Sequence, residues 1–173
     1  MGEGGSSLLQ KRIAIVLVAL ILFGLSDTAL PHRQKKPDPD DTESPLDLKR
    51  VSLWHSENRI HSRAALRGPV KKWMLRERGV LYFHFDTTGG PRSDYYVDVR
   101  PRKNGFAGII HKFQDGWPRV GRANVARPQP DTIVVDLLKD RIHAGGSIRW
   151  IVVTGWDGDT DYSDLSGWSP HQL

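Results

Sequence analysis

The strongest constraint on the fold of this chain comes from two short segments in which side-chain character alternates at every residue. In residues 81–86 (LYFHFD), leucine and two phenylalanines alternate with tyrosine, histidine and aspartate. In residues 95–100 (YYVDVR), the first tyrosine and two valines alternate with tyrosine, aspartate and arginine. Successive side chains of a β-strand point to opposite faces, and residues 87–93 between the segments are typical of a turn. The pattern therefore predicts two neighbouring antiparallel strands, each buried on one face.

Further strand-like segments follow along most of the chain. They are bounded by Gly, Pro, Asn or Asp and recur at a spacing of about ten residues, which is typical of all-β domains. They comprise a hairpin at 51–54 and 59–66 with a turn at 56–58, and strands at 106–113, 119–126, 132–138 and 147–156. Residues 70–78 suggest a short helix, and residues 138–144 suggest one helical turn. Seven or eight short strands predict an all-β fold, an antiparallel β-sandwich of jelly-roll-like form.

An uncharged apolar run occupies residues 13–25, directly after the basic pair Lys11 and Arg12. A helix of this length spans roughly 20 Å, whereas the hydrocarbon core of a bilayer is about 30 Å thick. The length favours the core of a signal peptide, with cleavage after Ser26. The alternative is an uncleaved membrane anchor that extends to Leu30, with the basic pair at the cytoplasmic face. Both interpretations predict an N-terminal hydrophobic signal segment or helix over residues 1–30 and an extracytoplasmic protein, either secreted or anchored.

The next segment differs sharply in composition. Residues 31–45 (PHRQKKPDPDDTESP) contain four prolines and almost no apolar side chain. Such a composition predicts a solvated, extended linker without a core of its own. The β-sandwich domain is therefore predicted to cover residues 46–173.

The overall composition narrows the classes of protein to which the chain can belong. Because it contains no cysteine, it has no disulfide framework, thiolate metal site or cysteine nucleophile. It has 25 Lys and Arg residues against 20 Asp and Glu residues, a formal net charge of +5. This charge favours anionic partners, such as lipid headgroups or an anionic envelope polymer. Nucleic acid is not expected as a partner, because the domain is predicted to be exported.

Positive charge is densest in residues 49–78, which carry nine basic residues against two acidic ones. Arg59, His61 and Arg63 alternate along one predicted strand, and further lysines and arginines surround Trp73. Such a patch can bind an anionic lipid surface or wall polymer. The alternative is a solvated strand edge whose charges discourage pairing with other chains.

Large aromatic side chains form the predicted ligand-binding site. Tyr82 and Tyr96 are expected on the outward face of adjacent strands. Trp117, Trp150 and Trp156 are more large rings than one small core needs. Exposed rings stack on sugar faces and are otherwise costly to display, so we predict a glycan-binding site that includes Tyr82, Tyr96, Trp150 and Trp156. The alternative is that some of these rings fill the core.

A loop near the C-terminus is the predicted metal site. Asp157, Asp159, Asp161 and Asp164 fall within eight positions of one another. Carboxylate oxygens at alternate positions can wrap around Ca²⁺, although the glycine and glutamate of an EF-hand are missing. The alternative is a solvated turn, which aspartate also favours.

Two other carboxylates flank the turn between the two alternating strands. Asp86 and Asp94 are expected to close this turn through hydrogen bonds from their side chains to the backbone. A second oxygen site for a cation is the alternative. Since both positions border a glycine-rich turn, the structural role is favoured.

The residues that suggest catalysis are few. His84 with Asp86, and His111 with Asp115, place an imidazole near a carboxylate in the sequence, as acid–base chemistry requires. The sequence contains no nucleophile elbow, phosphate-binding loop, dinucleotide-binding fingerprint or HExxH zinc motif. We therefore predict a protein without enzymatic activity.

Several motifs occur in a recognisable order. They are FDTTGG and SDYYVDVR within residues 85–100, NGFAG at 104–108, PDTIVVDLLKDRI at 130–142, and IRWIVVTGWDGDTDYSD at 148–164. This order resembles that of extracytoplasmic β-sandwich domains of the family-nine carbohydrate-binding and DOMON-like type. The resemblance implies a jelly-roll-like sandwich that binds glycans or small ligands, sometimes with structural calcium, and has no catalytic centre.

These observations predict an exported, non-catalytic module that binds a glycan or an anionic component of the cell envelope. Two alternatives remain. One is a membrane-tethered domain that binds other proteins, which an apolar patch without sugar-stacking geometry would favour. The other is a hydrolase, which would need a deep pocket with His84 or His111 beside a carboxylate.

Overall fold

The computed structural model describes residues 33–163 and 169–173, and almost all of its regular structure is β-strand. One short helix, α1 (Met74–Glu77), and one 3₁₀ turn, Lys139–Ile142, also occur. The strands in the described residues are β1 (Gln34–Pro37), β2 (Leu48–His55), β3 (Arg59–Leu66), β4 (Gly79–Asp86), β5 (Tyr95–Arg102), β6 (Gly105–Lys112), β7 (Arg119–Gln129), β8 (Thr132–Leu138), β9 (Ser147–Trp156), β10 (Asp159–Tyr162) and β11 (Ser169–Gln172).

The strands form one curled antiparallel sheet. Its order is β1-β2-β3-β8-β7-β6-β5-β4-β9-β10, and β11 also pairs with β9. The first part of the long strand β7 pairs with β6, whereas its later part pairs with β8. Because β7 passes from one half of the sheet to the other, the two halves can curl around a shared core. The predicted all-β antiparallel fold is confirmed in this form.

The predicted strands from β2 to β9 are found within a few residues of their expected bounds. Leu81, Phe83 and Phe85 are buried on the inner face of β4, as the alternation predicted. The helix expected over residues 70–78 is reduced to α1, which packs Met74 and Leu75 inward. Three short strands, β1, β10 and β11, are not predicted from the sequence.

Strand β1 corrects the predicted linker. Its register with β2 runs from Gln34 opposite Leu53 to Pro37 opposite Arg50. The next residue continues this contact, since the Asp38 amide donates to the Lys49 carbonyl at 3.1 Å. The segment at 34–38 is therefore part of the folded domain, and the predicted boundary at residue 46 is too late. The strand was not predicted because its residues are charged or polar. An edge strand can carry lysine and still pair with its one neighbour, here β2.

Side chains join the two ends of the curled sheet. The Leu48 amide donates to Asp161 Oδ2 at 2.8 Å, and Trp150 Nε1 donates to Gln34 Oε1 at 3.0 Å. These contacts link the β1–β2 end to β9 and β10. The last strands are thereby held beside the first ones, although they lie far apart in the sequence.

The turn between β4 and β5 is closed by carboxylates, as predicted. Asp94 Oδ2 accepts from the Thr87 amide at 2.7 Å and from the Thr88 amide at 2.9 Å. Asp86 Oδ1 accepts from the Gly89 amide at 2.8 Å, and Asp86 also pairs with Arg149. Burial alone would raise the pKa of Asp86, but the hydrogen bonds from Arg149 and the turn backbone hold it below its usual value.

The predicted N-terminal segment, residues 1–30, lies outside the described residues. Within the part of the chain that the structure describes, no helix is long and apolar enough to cross a membrane.

Candidate functional site

An aromatic groove of about 420 Å³ lies on the outer face of the sheet, across strands β5, β4, β9 and β10. Its walls combine rings from these strands and from the turn after β6 with aliphatic side chains of β4 and β9. The rings are Tyr82, His84, Tyr96, Phe113, Trp117 and Tyr162. We call this surface the aromatic groove.

The strand register explains why rings from distant parts of the chain meet there. Tyr96 on β5 pairs with His84 on β4 and, on its other side, with His111 on β6. One pleat further along, Tyr82 on β4 pairs with Val153 on β9, and Val153 pairs with Tyr162 on β10. Directly opposed side chains on one face lie in contact range, so the two rows form a continuous surface.

Tyr96 is the centre of this surface. Its ring stacks on His111 with a centroid distance of 4.9 Å and on His84 at 5.6 Å, while Tyr82 meets its edge at 5.5 Å. Because neighbours cover it on both faces, Tyr96 is buried. It therefore fixes the wall of the groove and offers little free ring surface to a ligand.

The accessible rings lie at the rim. Trp117 is 53% exposed and Tyr162 is 46% exposed. Trp117 meets the edge of Tyr96 at 5.6 Å and contacts Phe113 at 4.8 Å. Its backbone has a φ of 46°, which is unusual for a bulky residue. The exposed ring of Trp117, held on an uncommon backbone conformation, makes this rim the candidate binding surface.

One glycine keeps the β9–β10 end of the groove open. Gly155 on β9 pairs with Val80 on β4 and Thr160 on β10, and both of these neighbours line the groove. A Cβ at this position would lie 3.0 Å from the Val80 side chain and 3.2 Å from the Asp159 carbonyl. The absence of a side chain therefore preserves space between the two neighbours.

Burial keeps three polar side chains of the groove, His84, Tyr82 and Tyr96, neutral near pH 7. Burial lowers the pKa of His84 to about 4, and its Nδ1 lies 3.2 Å from Ser93 Oγ. Burial also raises the pKa of Tyr82 and of Tyr96, and the carboxylate of Asp98 adds to the increase. The phenols, the imidazole and the indole can thus exchange hydrogen bonds with a ligand without a formal charge.

The structure separates the four predicted ligand-binding residues. Tyr82 and Tyr96 line the aromatic groove. Trp150 is buried on the inner face of β9 opposite Phe85, so its prediction as a ligand-binding residue is wrong. Trp156 lies on the same face of β9 as Trp150 and is half-buried. Its ring packs against Trp73 with a centroid distance of 5.6 Å. It does not line the groove.

Four of the six rings of the groove are missing from the predicted set: His84, Phe113, Trp117 and Tyr162. His84 could be found from the same alternation that placed Tyr82. The others come from a turn and from the unpredicted strand β10, whose positions follow from long-range pairing.

The acidic loop does not assemble as predicted. Asp157 and Gly158 both have positive φ and form the tight turn between β9 and β10, as Asp-Gly sequences often do. Asp157 is exposed and pairs with Arg78 at 2.9 Å, and Asp159 is also exposed. Asp161 is buried, and Asp164 lies outside the described residues. Among the described residues, the carboxylates grouped closely enough to share an ion include Asp161 but neither Asp157 nor Asp159.

The two predicted His–Asp pairs are occupied by other contacts at Nδ1. His84 Nδ1 faces Ser93, and His111 Nδ1 lies 3.0 Å from the carbonyl oxygen of Trp117. Asp86 is engaged by Arg149 and the turn backbone. Both imidazoles therefore serve mainly as rings packed on Tyr96, each with one polar edge.

A second concave surface, the basic pocket, lies over β1, β2 and β3 and has a volume of about 250 Å³. Arg63 Nε is buried there and has no hydrogen-bond partner among the described residues. The charged residues that line the pocket are Arg33, Lys35, Lys49, Arg50, Arg63 and Asp131. Five basic side chains against one acidic side chain make this pocket suited to anions.

Comparison with known proteins gives no match to a protein family, a curated protein or a solved structure. The resemblance to family-nine carbohydrate-binding and DOMON-like domains accordingly stays a prediction.

Proposed function

We propose that the chain is an exported, non-catalytic binding module whose aromatic groove holds a neutral segment of a glycan. In this proposal the curled sheet is a jelly-roll-like sandwich that presents the groove on its outer face. The observation that carries the proposal is the pair of exposed rim rings, Trp117 and Tyr162, above a ring-lined groove without formal charge.

A sugar ring suits this surface better than a wholly apolar ligand. Sugars combine an apolar face, which stacks on aromatic rings, with hydroxyl groups that need hydrogen-bond partners. Around the groove, the Tyr82 and Tyr162 hydroxyls, the Thr160 hydroxyl and the Trp117 indole can meet such groups. An alkyl chain would leave these polar atoms without partners if it displaced their water. The volume of the groove also falls within the range of small-ligand sites.

The chemistry of His84 argues against the hydrolase alternative. Although Ser93 Oγ lies 3.2 Å from His84 Nδ1, an imidazole with a pKa of about 4 is a weak base near neutral pH. Burial produces this low pKa, and a neutral packed ring is what a binding surface requires. The pair supports a structural role in the wall of the groove.

The test is a binding screen with the full-length chain, kept in mild detergent because of its apolar residues 13–25. The panel contains neutral glycans and anionic wall polymers at low and moderate salt. We expect binding to a neutral glycan that resists salt and falls about fivefold or more in Trp117→Ala and in Tyr162→Ala, since stacking on one ring contributes about 1 kcal/mol or more.

A matched control distinguishes the groove from exposed aromatic surface in general. Trp73 is 44% exposed, a fraction similar to that of Trp117, but it lies outside the groove. Trp73→Ala should keep the affinity of the wild type. Equal losses in Trp73→Ala and Trp117→Ala would contradict the proposed site, and a screen without any glycan binding would favour the protein-interaction alternative.

The basic pocket supports a second candidate function, attachment to an anionic envelope polymer. The specific observations in its favour are its excess of positive charge and the buried Arg63 Nε, which has no hydrogen-bond partner in the described part of the chain. Binding of this kind should weaken steeply as salt rises, unlike stacking in the groove.

Charge reversal tests this second candidate. Lys49→Glu combined with Arg50→Glu should abolish binding to a phosphate-containing polymer at low salt and leave neutral glycan binding unchanged. Lys71→Glu combined with Arg76→Glu is the matched control, because both residues are exposed and lie outside the pocket. Equal losses in both variants would show that net charge, rather than the pocket, drives the attraction.

A further inference from the structure

Four carboxylates meet where the β1–β2 connection lies against β10. They are Asp38, directly after β1, Asp41 and Asp47 in the connection, and Asp161 on β10. One oxygen from each lies within 4.8 Å of one oxygen from every other. We propose that this carboxylate cluster binds one hard divalent cation, and that Ca²⁺ is the ion it fits best.

Buried oxygens without donors are the second observation that points to an ion. Asp38 is 7% exposed and Asp47 is 3% exposed. Asp38 Oδ2 and Asp47 Oδ1 receive no hydrogen bond from any described residue. A buried carboxylate oxygen without a donor is costly, whereas a bound cation supplies the missing partner.

Among the described residues, Arg67 forms an ion pair with the cluster. Arg67 Nε contacts Asp47 Oδ2 at 2.6 Å and Asp40 Oδ1 at 3.4 Å, and its Nη2 donates to the Asp38 carbonyl at 3.2 Å. One guanidinium leaves an excess of negative charge when the four carboxylates are ionised. A divalent cation would neutralise most of that excess.

The donor set and the spacing favour calcium. Ca²⁺ binds oxygen at about 2.3–2.6 Å, so two oxygens on opposite sides of the ion are roughly 4.6–5.2 Å apart. The 4.8 Å limit within the cluster allows all four carboxylates to reach one such ion. Mg²⁺ demands a near-ideal octahedron and retains several waters, which four carboxylates from separate segments suit less well. The exposed Asp41 gives the ion a route from solvent.

Calorimetry on the full-length chain in mild detergent, stripped with EDTA and dialysed, tests the proposal with CaCl₂ and MgCl₂ as the probes. We expect one Ca²⁺ per chain, weaker Mg²⁺ binding, and a rise in Tm of roughly 5 to 10 °C at one hundred times the Kd. Asp38→Asn combined with Asp47→Asn should lower the Ca²⁺ affinity at least tenfold. Asp41→Asn, whose exposed side chain should not affect folding, should weaken binding as well.

A matched control removes two carboxylates from the neighbouring turn. Asp157→Asn combined with Asp159→Asn should retain the Ca²⁺ affinity and the Tm shift of the wild type. The opposite result, loss in this control and retention in the cluster variants, would move the ion to the acidic loop and overturn the proposal. The weakest extracellular calcium sites have a Kd of about 10⁻³ M. If Ca²⁺ at concentrations well above this value produced neither a heat of binding nor a Tm shift, the proposal would also be overturned. Neither result decides whether the groove binds a glycan, which is measured separately.

Discussion

Strand β10 separates two surfaces of opposite character. On one side, Thr160 and Tyr162 line the aromatic groove, and on the other, Asp161 joins the carboxylate cluster. The groove is built from rings that pack on one another and from neutral polar groups. The cluster is built from three buried carboxylates and one exposed carboxylate, and two of the buried oxygens lack a donor among the described residues. The rings of the groove therefore have their packing partners within the protein, whereas in our proposal the cluster takes up a cation.

Residues at the rim of the groove and residues on the inner face of the sheet should affect ligand binding and fold stability differently. Rim rings such as Trp117 contribute little to the core, so their loss should change ligand affinity and leave the fold intact. Inner-face residues of the same strands should behave in the opposite way. Substitutions at the rim and at the inner face are therefore expected to change different quantities, ligand affinity in the first case and unfolding free energy in the second.

The largest effect is expected for Trp150→Ala. The substitution removes a buried ring from the core together with its hydrogen bond to Gln34, and should cost about 3–5 kcal/mol of unfolding free energy. Trp117→Ala should cost less than about 1 kcal/mol, as exposed positions usually do. Urea denaturation followed by far-UV circular dichroism measures both. If Trp117→Ala cost nearly as much unfolding free energy as Trp150→Ala, the rim would be part of the core, which would contradict the distinction between the two surfaces.

A smaller effect is expected from the titration of His84. Burial lowers its pKa to about 4 in the folded protein, whereas histidine in an unfolded chain titrates near about 6.5. Between these values the unfolded chain binds more protons, so this contribution is full above about pH 6.5 and is lost as the pH falls toward 4. The loss reaches at most about 3 kcal/mol.

Denaturation of the wild type and of His84→Gln across pH 4 to 7 isolates this contribution. The difference in unfolding free energy between the two proteins should shrink steadily as the pH falls from about 6.5. Tyr82 and Tyr96, which pack on the imidazole, have raised pKa values and do not titrate in this range. A difference that stays constant with pH would mean that the imidazole is solvated and that the groove wall is less tightly packed than described.

The sequence allows one half of the groove to be predicted. Strict alternation in β4 and β5 places Tyr82 and Tyr96 on the outward face, and the structure agrees. The same rule does not resolve β9, where residues 150–153 (WIVV) are apolar without interruption. Since a continuous apolar run does not show which face each residue takes, Trp150 could not be distinguished from a surface ring.

The carboxylate cluster illustrates a different limit. Asp38 and Asp161 lie near opposite ends of the described chain and meet because the sheet curls and β10 comes beside the β1–β2 connection. Local spacing instead favoured Asp157 and Asp159, whose Asp-Gly turn the structure uses to close a hairpin. The four carboxylates come from separate segments, and the order of the strands in the sheet brings them together. Alternation and turn patterns in the sequence predict the strands but only part of that order.

The smallest effect is expected where the two surfaces influence each other through β10. A cation bound by Asp161 should hold this short strand, and with it Thr160 and Tyr162, in the conformation that lines the groove. Because preorganisation reduces the entropy lost on binding, saturating Ca²⁺ should tighten glycan affinity by about two- to fivefold. Titration of the glycan identified by the screen, with CaCl₂ or with EDTA, measures this ratio.

The variant Asp38→Asn with Asp47→Asn makes this prediction specific to the cluster. It should bind the glycan with the affinity that the wild type shows in EDTA, and Ca²⁺ should no longer change that affinity. A Ca²⁺ effect that persists in the variant would place the responsible ion elsewhere. Complete dependence of glycan binding on Ca²⁺ in the wild type would show that the groove is not preformed, because its β10 wall would then require the ion to take shape.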